Sequence, residues 1–279
     1  MSKHFLIHLF LASSLLLFIF VPIFAYNNFH KPNQVLSAKT QESASPVSTP
    51  SPSQFPKPST SPSPTLSKTK YTIAIFGDSF IDTMGENLEY LEPRFKAKYP
   101  QAKFSLYNYG IGSQNIKDGL SRFGSPLNYK ERHFPPIGAI HADIIVLGSF
   151  AYNPFSPHDR NQHYLDLIEL VNRAKATGAA VYQLAEIAPR KNGFGKGPHG
   201  VNWPAADANS QAAKIVEQLE DAVNAAKTAN IPLINAFYPS QTDGNYGNPN
   251  FVNSDDGIHP SVEGHSFMAD LIVKRLSLK

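Results

Sequence analysis

Two patterns of apolar positions alternate along the chain from Tyr71 onward. Short runs rich in β-branched and aromatic residues are typical of buried parallel strands, and they cover 71–76, 104–108, 144–147, 180–184 and 233–236. Longer stretches between them place apolar residues at helical spacing, as in Leu165, Ile168 and Val171. The predicted helices cover 87–98, 162–176, 211–229 and 261–278.

The alternation of strands and helices predicts the fold class. It indicates an α/β domain built as a three-layer α/β/α sandwich, with a flavodoxin-like open parallel sheet of about five strands. Ligands of such sheets bind beyond the carboxyl ends of the strands. We therefore expect the chemistry in the turns that directly follow the strands.

The N-terminal segment 1–36 has a different pattern. Residues 5–24 contain no acidic or basic residue except His8, and at about 1.5 Å per residue they cover the roughly 30 Å of a bilayer's hydrocarbon. A cleaved signal peptide, with an apolar region of about 7–15 residues, is the alternative. Because Ile23-Phe24-Ala25 is a poor cleavage site, we expect a membrane anchor with the following domain outside the cytoplasm, or a secreted protein if the segment is cleaved.

Residues 37–70 are rich in Ser, Thr and Pro. A segment of this composition has too little apolar surface to offset the entropy lost on ordering. The sequence therefore predicts a disordered linker between the N-terminal segment and a folded domain at 71–279.

Composition excludes several classes of function. The formal net charge is only +3, and no run of Lys and Arg interleaved with aromatic residues is present, so nucleic acid is not an expected partner. The chain contains no cysteine. Disulfides, thiolate metal sites and cysteine nucleophiles are therefore excluded.

Two polar turns near opposite ends of the domain could form a hydrolytic site. Gly77-Asp78-Ser79 follows the first predicted strand and would place a hydroxyl at the carboxyl edge of the sheet, although such residues are also usual in plain turns. Asp256 and His259 lie three residues apart before the last helix. That spacing lets the carboxylate accept a hydrogen bond from the imidazole and raise its basicity, with Asp255 as the neighbouring alternative.

Two further turns follow the second and third predicted strands. One contains Gly112 and Ser113, whose backbone N–H groups could face a ligand, and the other contains Asn153, which offers a side-chain amide. Backbone and amide donors together can form an oxyanion hole. Gly110-Ile111-Gly112 also resembles part of a dinucleotide fingerprint, but the third glycine is missing, so nucleotide binding is not favoured.

In this order and at these strand ends, the four turns resemble the SGNH hydrolases, also called the GDSL-type esterases and lipases. The resemblance extends from Tyr71 to the C-terminus. It implies a serine nucleophile, an Asp-His pair that activates it, and an oxyanion hole built from the backbone N–H of that serine, a second backbone N–H and one asparagine amide. The implied residues are Ser79, Asp256 and His259 for the triad, and Gly112 or Ser113 together with Asn153 for the oxyanion hole.

The chain departs from the family pattern in two turns. The second block of the family usually ends in a glycine at the position that the spacing assigns to Ser113. The third block is usually Gly-x-Asn-Asp, and here it reads Ala151-Tyr152-Asn153-Pro154. The asparagine is kept, while its neighbours predict a pocket of different shape.

The resemblance also implies the reaction. An esterase of this family forms an acyl-enzyme that water hydrolyses, with neither metal nor cofactor. The expected substrates are small-molecule or glycan esters, such as the acetyl groups of a cell-surface or environmental polysaccharide. The alternatives are an O-acyltransferase that uses the same triad on a glycan, and a non-catalytic carbohydrate-binding domain, against which the intact Ser79, Asp256 and His259 argue.

Two features remain outside the four turns. His265 could form a metal site with Asp255, but a histidine on the surface of the last helix is favoured. The segment 185–204 is long and glycine-rich for a connection, and such loops are often functional. We expect it to border the substrate pocket, with Trp203 either as a sugar-stacking face or as a core residue.

Overall fold

Every strand that the sequence predicts is present in the computed structural model, which describes residues 66–278. In chain order, the strands are β1 (Lys70–Gly77), β2 (Lys103–Gly110), β3 (Leu127–Tyr129), β4 (Arg132–Phe134), β5 (Ile144–Leu147), β6 (Ala180–Ala185), β7 (Leu233–Asn235), β8 (Gln241–Asp243) and β9 (Tyr246–Gly247). The helices are α1 (Ser79–Asp82), α2 (Glu92–Lys98), α3 (Ile116–Arg122), α4 (Arg160–Ala176), α5 (Ala205–Thr228) and α6 (Val262–Arg275).

The central sheet is parallel and has the strand order β2-β1-β5-β6-β7. Its strands are apolar because helices cover both faces, and all four residues of β5 are buried. This arrangement confirms the predicted three-layer α/β/α fold with five strands.

The strand order also explains where the helices lie. From β1 the chain moves outward to β2, then returns past β1 to β5 and continues to β6 and β7 on the other side. Right-handed crossovers in opposite directions place their helices on opposite faces of the sheet. Accordingly, α2 packs against α6, while α3, α4 and α5 pack in series.

The reversal of strand order creates a crevice between the carboxyl ends of β1 and β5. Ligands of open α/β sheets bind at this switch point. Ser79 follows β1 directly, and the turn that carries Asn153 follows β5. The topology thus places two of the candidate residues at the edge where the sequence predicts chemistry.

Two predicted helices differ from the structure in where they begin. The helix predicted at 87–98 starts only at Glu92, because Leu88 has a φ of 56° and Pro93 lies in the first turn, where a residue without an N–H is tolerated. The helix predicted from 211 starts earlier, at Ala205. Residues 205–207 are small or polar and exposed, so they carry no apolar periodicity.

Other predictions concern residues outside the described range. The predicted membrane anchor at 1–36 lies outside it, as does the linker up to residue 65. Among residues 66–278, no helix combines the length and the apolar character needed to cross a membrane.

Candidate active site

Ser79 lies at the first position of α1, immediately after β1. The preceding Asp78 caps this helix, because its Oδ1 accepts a hydrogen bond from the Phe80 N–H at 3.0 Å. Ser79 is 9% exposed. The tight turn therefore fixes the backbone around a hydroxyl at the carboxyl edge of the sheet.

Asp256 and His259 are directly paired. Asp256 Oδ2 lies 2.7 Å from His259 Nδ1, and Asp256 Oδ1 accepts the backbone N–H groups of Ile258 and His259 at 2.7 and 2.9 Å. Burial raises the pKa of Asp256, but these hydrogen bonds outweigh it and hold the pKa below its usual value. The pairing leaves Nε2 of the imidazole as the atom that can act on a substrate or nucleophile.

Asp255, the alternative partner of His259, binds a different histidine. Both of its carboxylate oxygens lie close to His199 Nδ1, at 2.8 and 2.9 Å. Two adjacent aspartates therefore each hold one histidine, and Asp256 is the one that orients His259.

One cavity of about 510 Å³ brings the candidate residues together. Ser79, Ser113, Asn153, Asp256 and His259 all line it. No hydrogen bond between Ser79 and His259 is found in the described part of the chain. Catalytic hydrogen bonds often tighten only when substrate is bound. The Ser79 hydroxyl and the His259 imidazole therefore lie in one cavity, and we expect the hydrogen bond between them to form in the substrate complex.

Gly112 and Ser113 differ in what their backbone N–H groups do. The N–H of Gly112 donates to the Tyr129 hydroxyl at 3.4 Å, whereas the N–H of Ser113 has no hydrogen-bond acceptor within residues 66–278. Ser113 has a φ of 61°, in the left-handed region that favours glycine. A glycine would adopt this conformation without strain. Of the two backbone N–H groups, that of Ser113 is the one still available to a ligand.

The Asn153 side chain is anchored by Asp78. Asn153 Nδ2 donates to Asp78 Oδ2 at 3.2 Å, and the second hydrogen of the same amide is not used by that bond. Burial raises the pKa of Asp78 to about 6, although hydrogen bonds from Phe80 and Asn153 oppose the rise. Asp78 thus supports both the serine turn and the asparagine.

A second buried carboxyl, that of Glu186, holds the turn at 148–153 by hydrogen bonds to Ser149. Its Oε1 accepts the Ser149 N–H at 2.9 Å, and its Oε2 accepts the Ser149 hydroxyl. A Cβ added to Gly148 would lie 2.8 Å from Glu186 Oε1, so a larger residue at this position would displace the carboxylate. Burial, followed by the charge of Asp78, raises the pKa of Glu186 to about 8.

The glycine-rich loop between β6 and α5 packs against the Asp-His turn, backbone to backbone. A Cβ added to Gly197 would lie 2.2 Å from the Asp255 carbonyl oxygen, and one added to Gly200 would lie 2.8 Å from the Asp256 carbonyl oxygen. The Gly195 N–H donates to the Gly257 carbonyl at 3.0 Å. The glycines therefore permit a contact that fixes the turn on which His259 depends.

The same loop forms one wall of the cavity, as the sequence predicts. His199, Val201 and Trp203 all line it, and Trp203 is 38% exposed. Trp203 is therefore not a core residue. An exposed aromatic face next to polar groups suits a ligand with both apolar and polar surfaces.

The expectation for His265 is wrong. This histidine of α6 is buried, not on the surface, and it stacks on Tyr90 with a centroid distance of 4.8 Å. Burial, and then the neighbouring His259, lower the pKa of His265 to about 4. Asp255 is occupied by His199, and among residues 66–278 no group of three or more His, Asp or Glu residues could hold a metal ion.

Sequence reasoning missed four residues that shape the site. The sequence indicates Asp78 only as a turn residue, and it gives no motif that marks Tyr129, Glu186 or His199 as part of the site. One signal was available for Glu186, because a carboxylate directly after a buried strand falls at the functional edge of the sheet. His199 and Tyr129 contact segments that are far from them in the chain, so no local sequence pattern indicates their place in the site.

Comparison with known proteins agrees with the geometry. The model of the GDSL-like lipase/acylhydrolase family matches residues 73–272. The fold is similar to that of a GDSL-like lipase from Bacteroides thetaiotaomicron, with a TM-score of 0.53 and 18% identity, covering 73% of this chain and 86% of that one.

Two further solved structures are similar. For a lipase/acylhydrolase from Enterococcus faecalis the TM-score is 0.54 at 17% identity, with 75% of this chain and 98% of that one covered. For an acetyl xylan esterase from Geobacillus stearothermophilus it is 0.53 at 14% identity, with 75% and 95% covered. At these identities the likeness is one of fold. The comparison with curated proteins gives no match.

Proposed function

Because the chain belongs to the GDSL-like lipase/acylhydrolase family and is therefore an enzyme that acts on ester bonds, we propose that Ser79 is its nucleophile and His259 its general base. The observation that carries this proposal is a cavity at the carboxyl edge of the sheet that these residues line together. It contains the Ser79 hydroxyl together with an imidazole that Asp256 orients.

The proposed reaction proceeds in two steps. The Ser79 Oγ attacks the ester carbonyl carbon while its proton passes to His259 Nε2, and the same proton then goes to the departing alcohol. Water next attacks the acyl carbon and gives a proton to His259, which returns it to Ser79 Oγ as the bond between Oγ and the acyl carbon breaks and the carboxylic acid leaves. Asp256 stays ionised throughout and stabilises the imidazolium, in keeping with its lowered pKa.

The negative charge on the tetrahedral oxygen needs hydrogen-bond donors on one side of the cavity. We assign this role to the Ser79 N–H, the Ser113 N–H and the Asn153 amide. Ser113 is preferred over Gly112 because the Gly112 N–H already donates to Tyr129. Asn153 keeps one amide hydrogen for the oxyanion while the other binds Asp78.

The proposed substrate is an O-acetylated glycan outside the cytoplasm. Three observations support it: the mixed polar and apolar lining of the cavity, the exposed Trp203 on its wall, and a fold shared with an acetyl xylan esterase. The uninterrupted apolar stretch at 5–24 supports attachment to a membrane, with the linker allowing the domain to reach a surface. The full chain should fractionate with membranes, and release of a product that lacks residues 1–25 would instead identify a cleaved signal.

An ester panel tests the reaction type. The purified domain is incubated with aryl esters from acetyl to long acyl and with acetylated oligosaccharides, with and without a non-acetylated glycan acceptor. Release of free acetate supports an esterase. Transfer of the acetyl group to the acceptor would identify an acyltransferase, and glycan binding without any ester turnover would identify a binding domain.

A further inference from the structure

An arginine outside the cavity joins two of the turns that form the site. Arg122 is the last residue of α3 and is partly buried. Its Nη2 donates to the Gly77 carbonyl oxygen at 2.8 Å, and its Nε donates to Gln114 Oε1 at 2.5 Å. Gly77 lies two residues before Ser79. Gln114 directly follows Ser113. One guanidinium therefore connects the turn of the proposed nucleophile with the turn of the second oxyanion donor.

The guanidinium itself is held in a defined orientation. Its central carbon lies 4.1 Å from the centroid of the Phe76 ring, where the face of the ring attracts a cation. The two nitrogens that bind Gly77 and Gln114 belong to one rigid plane. Side chains of a helix lean toward its N-terminus, so Arg122 at the end of α3 reaches back to Gln114 ahead of that helix. The position of Gln114 is thereby set relative to β1, which carries Phe76 and Gly77.

The turn at Ser113 needs such support because of its backbone conformation. Ser113 has a φ of 61°, and a residue other than glycine keeps this left-handed conformation only where its surroundings impose it. On the C-terminal side, Asn115 caps α3 and fixes the backbone there. Between these two residues, the Gln114 side chain bonds to Arg122. The bond therefore opposes relaxation of Ser113 into an ordinary conformation.

We propose that Arg122 is a positioning residue, which holds the Ser113 N–H beside Ser79, where the oxyanion of the proposed reaction forms. Neither Arg122 nor Gln114 lines the cavity, so the arginine acts through the turns and not on substrate. An oxyanion donor is effective only within hydrogen-bond distance of the developing charge, and a misplacement of about 1 Å can lower the rate about 100-fold. Loss of Arg122 should therefore slow the chemical step and leave substrate binding almost unchanged.

This inference rests on the proposed esterase reaction, and one variant keeps the two apart. Ser79→Ala should abolish turnover of an aryl acetate whatever the role of Arg122. Turnover that persists in a folded Ser79→Ala would overturn the reaction itself. Loss of turnover in Ser79→Ala, together with an unchanged kcat in the Arg122 variants, would overturn only the role of Arg122.

The test measures kcat and KM on an aryl acetate for the full chain and two Arg122 variants. Arg122→Met removes the charge and both hydrogen bonds, and we expect kcat to fall about 10- to 100-fold while KM stays within about twofold. Arg122→Lys keeps the charge but not the planar pair of donors, so it should recover only part of the loss. A wild-type kcat in Arg122→Lys would show that the charge alone matters and would overturn the positioning role.

A further variant tests the contact with Gln114. Gln114→Ala leaves the arginine in place and should lower kcat about 3- to 10-fold, the size of one hydrogen bond. Because both side chains act through the same contact, Gln114→Ala should add little to the loss in a chain that already carries Arg122→Met. Losses that multiply in the double variant would contradict the proposal. If Arg122→Met does not fold, Gln114→Ala decides alone, since a wild-type kcat in this variant overturns the proposal.

Arg173→Met is the matched control. Arg173 also donates to one backbone carbonyl and one side-chain oxygen, those of Leu120 at 2.9 Å and Glu169 at 2.8 Å. Both partners lie in the helices α3 and α4, and neither lines the cavity. Arg173→Met should keep the wild-type kcat, and melting temperatures show that each variant is folded. An Arg122→Met that melts below wild type but keeps its kcat would show a purely structural role and would overturn the proposal.

Discussion

Replacing Asn153 by alanine should separate its proposed catalytic role from its structural one. Removing an oxyanion donor typically lowers kcat about 100- to 1000-fold, or roughly 3–4 kcal/mol. The same change deprives the buried Asp78 of a hydrogen bond at 3.2 Å, which should cost about 1–3 kcal/mol of folding stability. Both effects are expected, because one amide carries two hydrogens with different partners.

The stability loss should depend on pH. The Asn153 bond favours the ionised Asp78, whose pKa lies at about 6. Without the bond that pKa rises further, so Asn153→Ala should lose more stability at pH values well above 6 than below it. Melting temperatures of wild type and Asn153→Ala, measured at one pH below 6 and one above it, therefore report the hydrogen bond between Asn153 and Asp78.

A neighbouring asparagine supplies the matched control. Asn115 also lines the cavity, but its side chain caps α3 by accepting the N–H groups of Lys117 and Asp118. Asn115→Ala should lose about 1 kcal/mol of stability and keep its kcat. If Asn153→Ala likewise kept its kcat on an aryl acetate while losing only stability, the oxyanion assignment would be refuted.

Two further predictions concern the groups that hold the site. Because the folded chain keeps the Glu186 proton to a pH of about 8, against an ordinary value of 4.5, stability should fall as pH rises across that interval. In Glu186→Gln the melting temperature should therefore decrease less with rising pH than in wild type. An unchanged pH dependence would show that Glu186 does not titrate with a raised pKa. In Gly197→Ala the new Cβ would lie 2.2 Å from the Asp255 carbonyl oxygen. The clash should displace the turn that carries Asp256 and His259 and lower kcat/KM at least about tenfold. The control Gly124→Ala has no heavy atom within 4 Å of its new Cβ and should behave as wild type.

The strands could be predicted from the sequence because apolar residues fill most of their length, and the inner strands β1, β5 and β6 are buried on both faces. A continuous apolar run such as 144–147 has no polar residue to interrupt the pattern, and it matches β5 residue for residue. Helix starts were harder to place. They depend on local backbone geometry, such as the left-handed Leu88, and on exposed first turns such as that of α5, which carry no apolar signal.

The candidate residues could be found from the sequence because strand ends are predictable and the sheet brings them to one edge. The residues that hold them in place could not be found in this way. Glu186 beneath Ser149, and His199 on Asp255, are contacts between residues 37 and 56 positions apart. The prediction for His265 is wrong because the sequence pattern does not distinguish a polar residue that faces another segment from one that faces water, and here Tyr90 covers the ring.

Covalent labelling of Ser79 is the most direct test of its role as the nucleophile. An alkyl fluorophosphonate reacts with a serine only when a base activates the hydroxyl, so the wild-type domain should gain a single adduct that peptide mass spectrometry places on Ser79. Ser79→Ala should show neither labelling nor ester turnover, and His259→Ala should label far more slowly although its serine is intact. An adduct on another residue, or ester turnover that persists in a folded Ser79→Ala, would contradict the account.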